Sequence, residues 1–229
     1  MTFDNRTVVV TGGTGALGRA VVERLLAQGA RCVVPYIIAR ELEDFPFTDT
    51  VTLIGPCELT DEAQVAQLYQ QAGELWASIH IAGGFEMSML ADTTKAGLMH
   101  MLSMNLVTCH LCSRAALGQF GAAGGRIVNI ASRPALEPRM GAGMTAYTAA
   151  KGAVAAFTQA LAGELAPRHI LVNAIAPSII DTPANRAAMP QANHATWPKP
   201  AEIAPTITFL ASPENKVTTG AIVPVPGGT

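Results

Sequence analysis

The chain is short of charge and short of aromatic rings, and its four cysteines make no paired framework; these features narrow its possible functions. Only 14% of its 229 residues are charged, and 15 basic side chains against 17 acidic ones leave a net charge of -2. That balance offers no basic surface for a nucleic-acid backbone or an anionic membrane. Apolar residues make up 49% of the chain, yet no apolar run reaches the roughly 18 residues that a bilayer-spanning helix needs. Met1 to Arg6 lack the basic segment and apolar core of a signal peptide, which points to the cytoplasm. The four cysteines are Cys32, Cys57, Cys109 and Cys112. Cys109 and Cys112 form a C-x-x-C inside a helical pattern, with no second pair and no histidine cluster. Buried free thiols in a reducing compartment are the better reading, and no metal is expected. Aromatic residues amount to 5%, which leaves substrate size open.

What remains is the composition of a globular protein long enough to bury a sizeable core. No linker, repeat or low-complexity segment divides it, so one domain over 1–229 is expected. Thr7 to Val10 is a short β-branched run, as in a strand covered on both faces. It runs into Thr11-Gly12-Gly13-Thr14-Gly15-Ala16-Leu17-Gly18, and a helical pattern follows from Ala16 to about Gln28, capped by Gly29. Gly13-x-Gly15-x-x-Gly18 is therefore a dinucleotide fingerprint in its strand–turn–helix setting. The glycines let the backbone approach a pyrophosphate, and the helix N-terminus meets it with free N–H groups. Arg31 to Pro35 reads as the second strand. A carboxylate at its end would bind the ribose hydroxyls of NAD, but Tyr36-Ile37-Ile38 stands there, with Arg40 beyond. With no carboxylate to repel a 2′-phosphate and Arg40 to meet one, the reading favours NADP(H) slightly over NAD(H).

Further strands are expected at Val51–Ile54, Ser78–Ile81, Ile127–Ala131, Ile170–Ile175 and Ala221–Val225. Helical patterns cover Asp61 or Glu62 to Gln71, Thr93 to Leu117, Thr145 to Ala166 and Ala201 to Ala211. Strands alternating with helices predict an α/β fold of Rossmann type: a doubly wound parallel sheet with helices on both faces. Ligands in such folds bind at the carboxyl ends of the strands. The glycine turn, Gly83-Gly84, Ser132 and Pro177 all fall there. His80, within an apolar strand, reads as a core histidine with a hydrogen-bond partner. Residues 178–200 contain four prolines and Trp197; an irregular stretch this long suggests a substrate loop or lid.

Tyr147 and Lys151 are four residues apart on the helix that begins at Thr145, so they share a face. A lysine cation beside a phenol is expected to lower the phenol's pKa from about 10, suiting it to proton exchange at a carbonyl.

With these motifs in order, the chain resembles the short-chain dehydrogenase/reductase family over essentially its whole length. Thr11-Gly12 and Gly18 match the family's glycine motif, while Ala16 replaces its middle glycine and Gly15 supplies one a residue earlier. The resemblance implies a nicotinamide cofactor held by Gly12, Thr14, Gly15, Ala16, Leu17 and Gly18, and by Tyr36 and Arg40 after the second strand. Glu58 and Leu59 follow the third strand, Glu58 matching an acid that contacts adenine. The family's NNAG motif falls on His80-Ile81-Ala82-Gly83, which keeps its last two residues, with Gly84 beyond. Pro177, Ile180 and Thr182 fall on the motif that holds the nicotinamide carboxamide, with glycine lost at Ser178. The catalytic set falls on Asn105, Ser132, Tyr147 and Lys151, with Lys151 also on the cofactor ribose. The spacing from Ser132 to Tyr147 is about two residues longer than usual, so the intervening loop should bulge.

The implied activity is hydride transfer between NAD(P)(H) and a small carbonyl or alcohol, by a homodimer or homotetramer. Ser132 and Tyr147 would hold the carbonyl oxygen, Tyr147 would carry the proton, and Asn105 would position a water linking Lys151 to solvent. A narrower resemblance links Asp181-Thr182-Pro183-x-Asn185-Arg186, with Trp197, to dihydropteridine reductases. It keeps a C=N reductase as one alternative, and a nucleotide-sensing protein without catalysis as another.

Overall fold

The structure is a computed structural model that describes residues 2–228. Its strands are β1 (Thr7–Thr11), β2 (Arg31–Pro35), β3 (Thr52–Ile54), β4 (Ala77–His80), β5 (Gly125–Ile130), β6 (Ile170–Pro177) and β7 (Ile222–Val225). They form one seven-stranded sheet in the order β3-β2-β1-β4-β5-β6-β7. Every pairing is parallel. This is the doubly wound Rossmann-type sheet expected, with each expected strand within two residues of its place.

The helices are α1 (Ala16–Ala27), α2 (Glu62–Ala72), α3 (Lys95–Leu102), α4 (Thr108–Leu117), α5 (Arg133–Leu136), α6 (Thr145–Leu165), α7 (Pro183–Ala188) and α8 (Pro200–Ala211). Local chemistry sets their ends. Asp61 Oδ1 accepts from the backbone of Ala63 and Gln64 and starts α2. Gly29, at φ 88°, follows the last turn of α1 in the left-handed conformation that glycine adopts at little cost. Pro167 lies in a 3-10 turn, Ala166–Arg168, that ends α6.

Two apolar layers sandwich the sheet. On one face Val21, Val22 and Leu25 of α1 and Ile203, Ile207 and Leu210 of α8 pack against Val8, Val10 and Ile79. On the other, Val65, Leu68 and Tyr69 of α2 meet Val9 and Val33 from the sheet and Cys112 and Ala116 of α4. Leu161 and Leu165 of α6 cover Ile127 and Val172. Val8, Val9 and Val10 have no exposed surface, each contributing roughly 1.5–3 kcal/mol by burial. All four cysteines are free and buried, and burial pushes the thiols of Cys32 and Cys109 up to about 12. His80 is a core histidine, bonded on both ring nitrogens.

The structure differs from the sequence reading in three stretches. The expected helix Thr93–Leu117 is interrupted by a π-helical turn, Ser103–Val107, around Asn105. The loop from Ser132 to Tyr147 does not simply bulge; it winds into α5 and a 3-10 turn, Pro138–Gly141. Residues 178–200 are not irregular throughout, since α7 and the turn His194–Thr196 form within them. Thr182 caps α7 by accepting from Asn185 N.

Candidate functional site

The strand order reverses between β1 and β4, and a cleft opens there at their carboxyl ends. The register sets Thr11 beside His80, and Ala82 N donates to Thr11 Oγ1 at 3.3 Å. Gly12, at φ 67°, then passes so close to the β4 end that a Cβ would lie 2.7 Å from Ala82 N. A Cβ on Gly18 would lie 2.0 Å from Gly12 O. These two glycines are required by packing. Gly15 differs: the nearest atom to its Cβ position is 3.4 Å away, and it leads α1 without a side-chain cap. The first-turn N–H groups of α1 thus face the cleft, as a pyrophosphate requires.

The cleft has a volume of about 770 Å³. Of the residues expected to hold a cofactor, Gly12, Thr14, Gly15, Ala16, Leu17, Gly18, Tyr36, Glu58, Leu59, Ala82, Gly83 and Thr182 line it. Gly84, Lys151, Pro177 and Ile180 are outside its lining, although Gly84 and Lys151 adjoin it through Gly83. Arg40 is also outside and is exposed. The turn after β2 carries it away from the wall, and Glu41 takes the lining position instead. A carboxylate thus lines this part of the cleft, where the sequence led us to expect none. Sequence reading missed Arg19 and Met104 as well, both of which line the cleft. The position of Arg19, one residue after the glycine motif, was the available signal for it.

Beyond Gly83 lie the four residues expected to be catalytic. A Cβ on Gly83 would stand 2.6 Å from Asn105 Oδ1 and 3.5 Å from Lys151 Nζ, so the backbone there threads between the two side chains. Asn105 Nδ2 donates to Gly84 O and to Met101 O, each at 3.0 Å, and Oδ1 accepts from Gly84 N at 3.3 Å. Met101 lies on the last turn of α3, just before the π turn that carries Asn105. Asn105 is therefore a clamp on the strand end, with its amide taken up by backbone.

Lys151 Nζ is buried and donates to Ile130 O at 2.8 Å. Desolvation lowers its pKa to about 8. Tyr147 stands one turn earlier, with Nζ 6.0 Å from the ring centroid and the Phe85 ring set edge-on at 4.9 Å. Burial raises the phenol pKa above its ordinary value, and the neighbouring Ser132 hydroxyl opposes the rise. The expectation of a phenol lowered by its lysine is not met, because burial is the largest influence on the phenol and raises its pKa. Ser132 is buried, and among the described residues its Oγ has no hydrogen-bond partner at ordinary geometry, the Tyr147 phenol being the polar group beside it. A desolvated hydroxyl without a partner, beside a neutral phenol, suits an incoming carbonyl oxygen.

The 178–200 loop uses several of its polar residues on itself, while Ser178 Oγ donates to Pro226 O at 2.7 Å. Asn185 Nδ2 donates to Ile180 O at 2.8 Å, and Arg186 pairs with Asp181. Among the described residues, no three His, Cys, Asp or Glu side chains group as metal ligands, and no helix is long and apolar enough to cross a membrane.

A family model described as enoyl-(acyl carrier protein) reductase matches residues 13–229. The cis-4-hydroxycyclohexanecarboxylate dehydrogenase of Sinomonas cyclohexanicum is 33% identical over 247 residues, covering 99% of this chain and 97% of that protein. The 3-oxoacyl-[acyl-carrier-protein] reductase of Vibrio harveyi is 29% identical over 248 residues, covering 100% and 98%. Among solved structures, a blue fluorescent protein from a metagenomic library, in complex with NADPH, superposes with a TM-score of 0.88. It is 28% identical, over 100% of this chain and 99% of that one.

Proposed function

Because the chain belongs to the short-chain dehydrogenase/reductase family and is an NAD(P)-dependent oxidoreductase, we propose that it interconverts a small carbonyl compound and its alcohol, with Tyr147 as the proton carrier. The observation that carries this reading is the buried, unpartnered Ser132 hydroxyl next to a neutral Tyr147 phenol. The bound nicotinamide would supply or accept the hydride; the chain's part is position and proton chemistry. In the reductive direction Ser132 Oγ and Tyr147 OH donate to the substrate oxygen, and the phenol proton passes to it. The Lys151 cation stabilises the phenolate left behind, which is reprotonated before the next turnover. Asn105 acts indirectly, by clamping Gly84 and so fixing the cleft wall between itself and Lys151.

Gly12, Gly15 and the N-terminus of α1 would hold the pyrophosphate, Glu58 and Leu59 the adenine side, and Gly83, Gly84, Pro177, Ile180 and Thr182 the nicotinamide side. The NADPH-bound relative supports a nicotinamide dinucleotide here. The lean toward NADP(H) rested on Arg40 and on a missing carboxylate, and the cleft supports neither ground. We propose further that 1–229 is one catalytic domain acting in the cytoplasm as a homodimer or homotetramer, with 178–200 as its substrate loop. The test is turnover of a carbonyl panel with NADH and NADPH by wild type and Tyr147→Phe. Loss of most turnover, with dinucleotide binding kept, is expected. A variant as fast as wild type would refute the assignment.

A further inference from the structure

The end of β2, where an acid would meet the adenosine ribose, holds Tyr36. Three residues further the chain turns into a 3-10 segment, Ala39–Leu42, whose Glu41 N is held by Ile38 O at 2.9 Å. The turn swings Glu41 back over the glycine loop, where its Oε2 accepts from Thr14 Oγ1 at 2.6 Å. Thr14 is buried, and both residues line the cleft. A carboxylate fixed in the wall accepts hydrogen bonds from vicinal hydroxyls and repels a phosphate dianion.

Two cations lie near enough to offset that repulsion: Arg19, which lines the cleft with its guanidinium bonded to backbone, and Arg40, which lies outside it. Arg19 Nε donates to Thr14 O at 2.7 Å and its Nη1 to Asp44 O at 2.6 Å, while the guanidinium lies over the Phe45 ring at 5.9 Å. It holds the loop's shape. Arg40 is exposed outside the cleft. The other carboxylate in the lining, Glu58, accepts from Thr60 N and Thr60 Oγ1.

We infer that Glu41, positioned by Thr14, is the residue that selects the dinucleotide, binding a free ribose diol and rejecting a 2′-phosphate, so that the chain prefers NAD(H). The inference rests on the nicotinamide-cofactor reading above and goes beyond it by assigning selection to a residue outside the strand end.

The test is calorimetric titration of the purified wild type, Glu41→Gln and Arg19→Lys with NADH, NADPH, AMP and adenosine 2′,5′-bisphosphate, with no turnover required. Wild type is expected to bind NADH tighter than NADPH by roughly tenfold or more. Glu41→Gln, which keeps the shape and removes the charge, is expected to shrink that ratio by about fivefold or more, with the same trend between the two adenosine nucleotides. Arg19→Lys is expected to weaken both dinucleotides alike. A wild type that favours NADPH, or a ratio that Glu41→Gln leaves unmoved, overturns the inference while leaving the oxidoreductase reading intact. Binding of neither dinucleotide by a folded wild type overturns both.

Discussion

Lys151 Nζ donates to Ile130 O at 2.8 Å, joining the helix that carries Tyr147 to the strand that leads into Ser132. One ammonium thus fixes the spacing of both groups expected to touch substrate. It does so at a cost, since burial has lowered its pKa from 10.5 to about 8. At pH 7 the folded chain still holds this proton, less readily than the unfolded chain does, at an expense on the order of 3 kcal/mol. The expense is complete below pH 8 and vanishes as pH rises from 8 past 10.5. Lys151→Met should therefore lose at least about a hundredfold in kcat/KM while its melting temperature at pH 7 holds or rises. The orphaned Ile130 carbonyl offsets part of the gain, by about 1–3 kcal/mol. Thermal unfolding beside steady-state rates checks this; a fall of many degrees would make Lys151 a structural anchor first.

Tyr147 is expected to be neutral throughout the working pH range of the free chain, because burial raises its pKa. The fold favours the protonated phenol, so its contribution to stability is complete below about pH 10 and is lost as pH rises further. Ultraviolet difference titration of wild type against Tyr147→Phe should assign one tyrosine ionisation above pH 10 to this residue. An ionisation near neutrality in the free protein would show that the Lys151 charge dominates after all.

Ser132 presents the opposite balance to most buried hydroxyls. Its Oγ is desolvated, with no hydrogen-bond partner in the fold at ordinary geometry and only the Tyr147 phenol beside it, so truncation removes a polar group that gains little from the fold. Ser132→Ala should leave stability unchanged or raise it by about 1 kcal/mol. On a chain of this size that is roughly 2–4 °C in melting temperature. Turnover should fall about 10- to 100-fold through loss of one donor to the reacting oxygen. Stability that drops alongside activity would mean the hydroxyl is bonded within the fold.

How far the residues announced this arrangement depends on the range of the interactions that fix it. The β-branched strands, the glycine turn and the Tyr147–Lys151 helix face are local patterns with one period each, and they were legible. The contest between Arg40 and Glu41 was not. Adjacent residues on a short turn point in different directions, and which one enters the cleft depends on how the chain leaves β2. The direction of the Tyr147 shift was hidden for another reason. A cation four residues away is visible in the sequence, but the burial that raises the phenol pKa is a tertiary quantity. The π turn at Asn105 is tertiary too, since the clamp it permits is on Gly84, twenty-one residues upstream.

His80 shows how a legible core residue can still carry an unexpected consequence. It lies in a buried chain in which Tyr69 Oη meets Ser78 Oγ at 2.7 Å and Ser78 Oγ meets His80 Nε2 at 2.8 Å. His80 Nδ1 then meets Asn129 Oδ1 at 2.8 Å, and Asn129 Nδ2 donates to Thr158 Oγ1 at 2.9 Å. Thr158 in turn donates to Val154 O. Read from that end, the Asn129 oxygen must accept, so Nδ1 bears the hydrogen and Nε2 accepts from Ser78. Protonation would put a second N–H against a serine and a tyrosine hydroxyl in a desolvated site, and burial lowers the pKa from 6.5 to about 4. Below pH 6.5 the unfolded chain takes up a proton that the folded chain refuses. Stability should therefore decline as pH falls from 6.5 to 4 and stop declining from this source below that, a loss on the order of 3 kcal/mol. His80→Asn, which has no titrating ring, should be less stable than wild type at pH 7.5 by urea unfolding. By pH 4.5 the gap should narrow by about 2–3 kcal/mol, since only the wild type bears this penalty. A gap that stays constant would place the imidazole in contact with water and break the chain that ties α2 to α6 through the sheet.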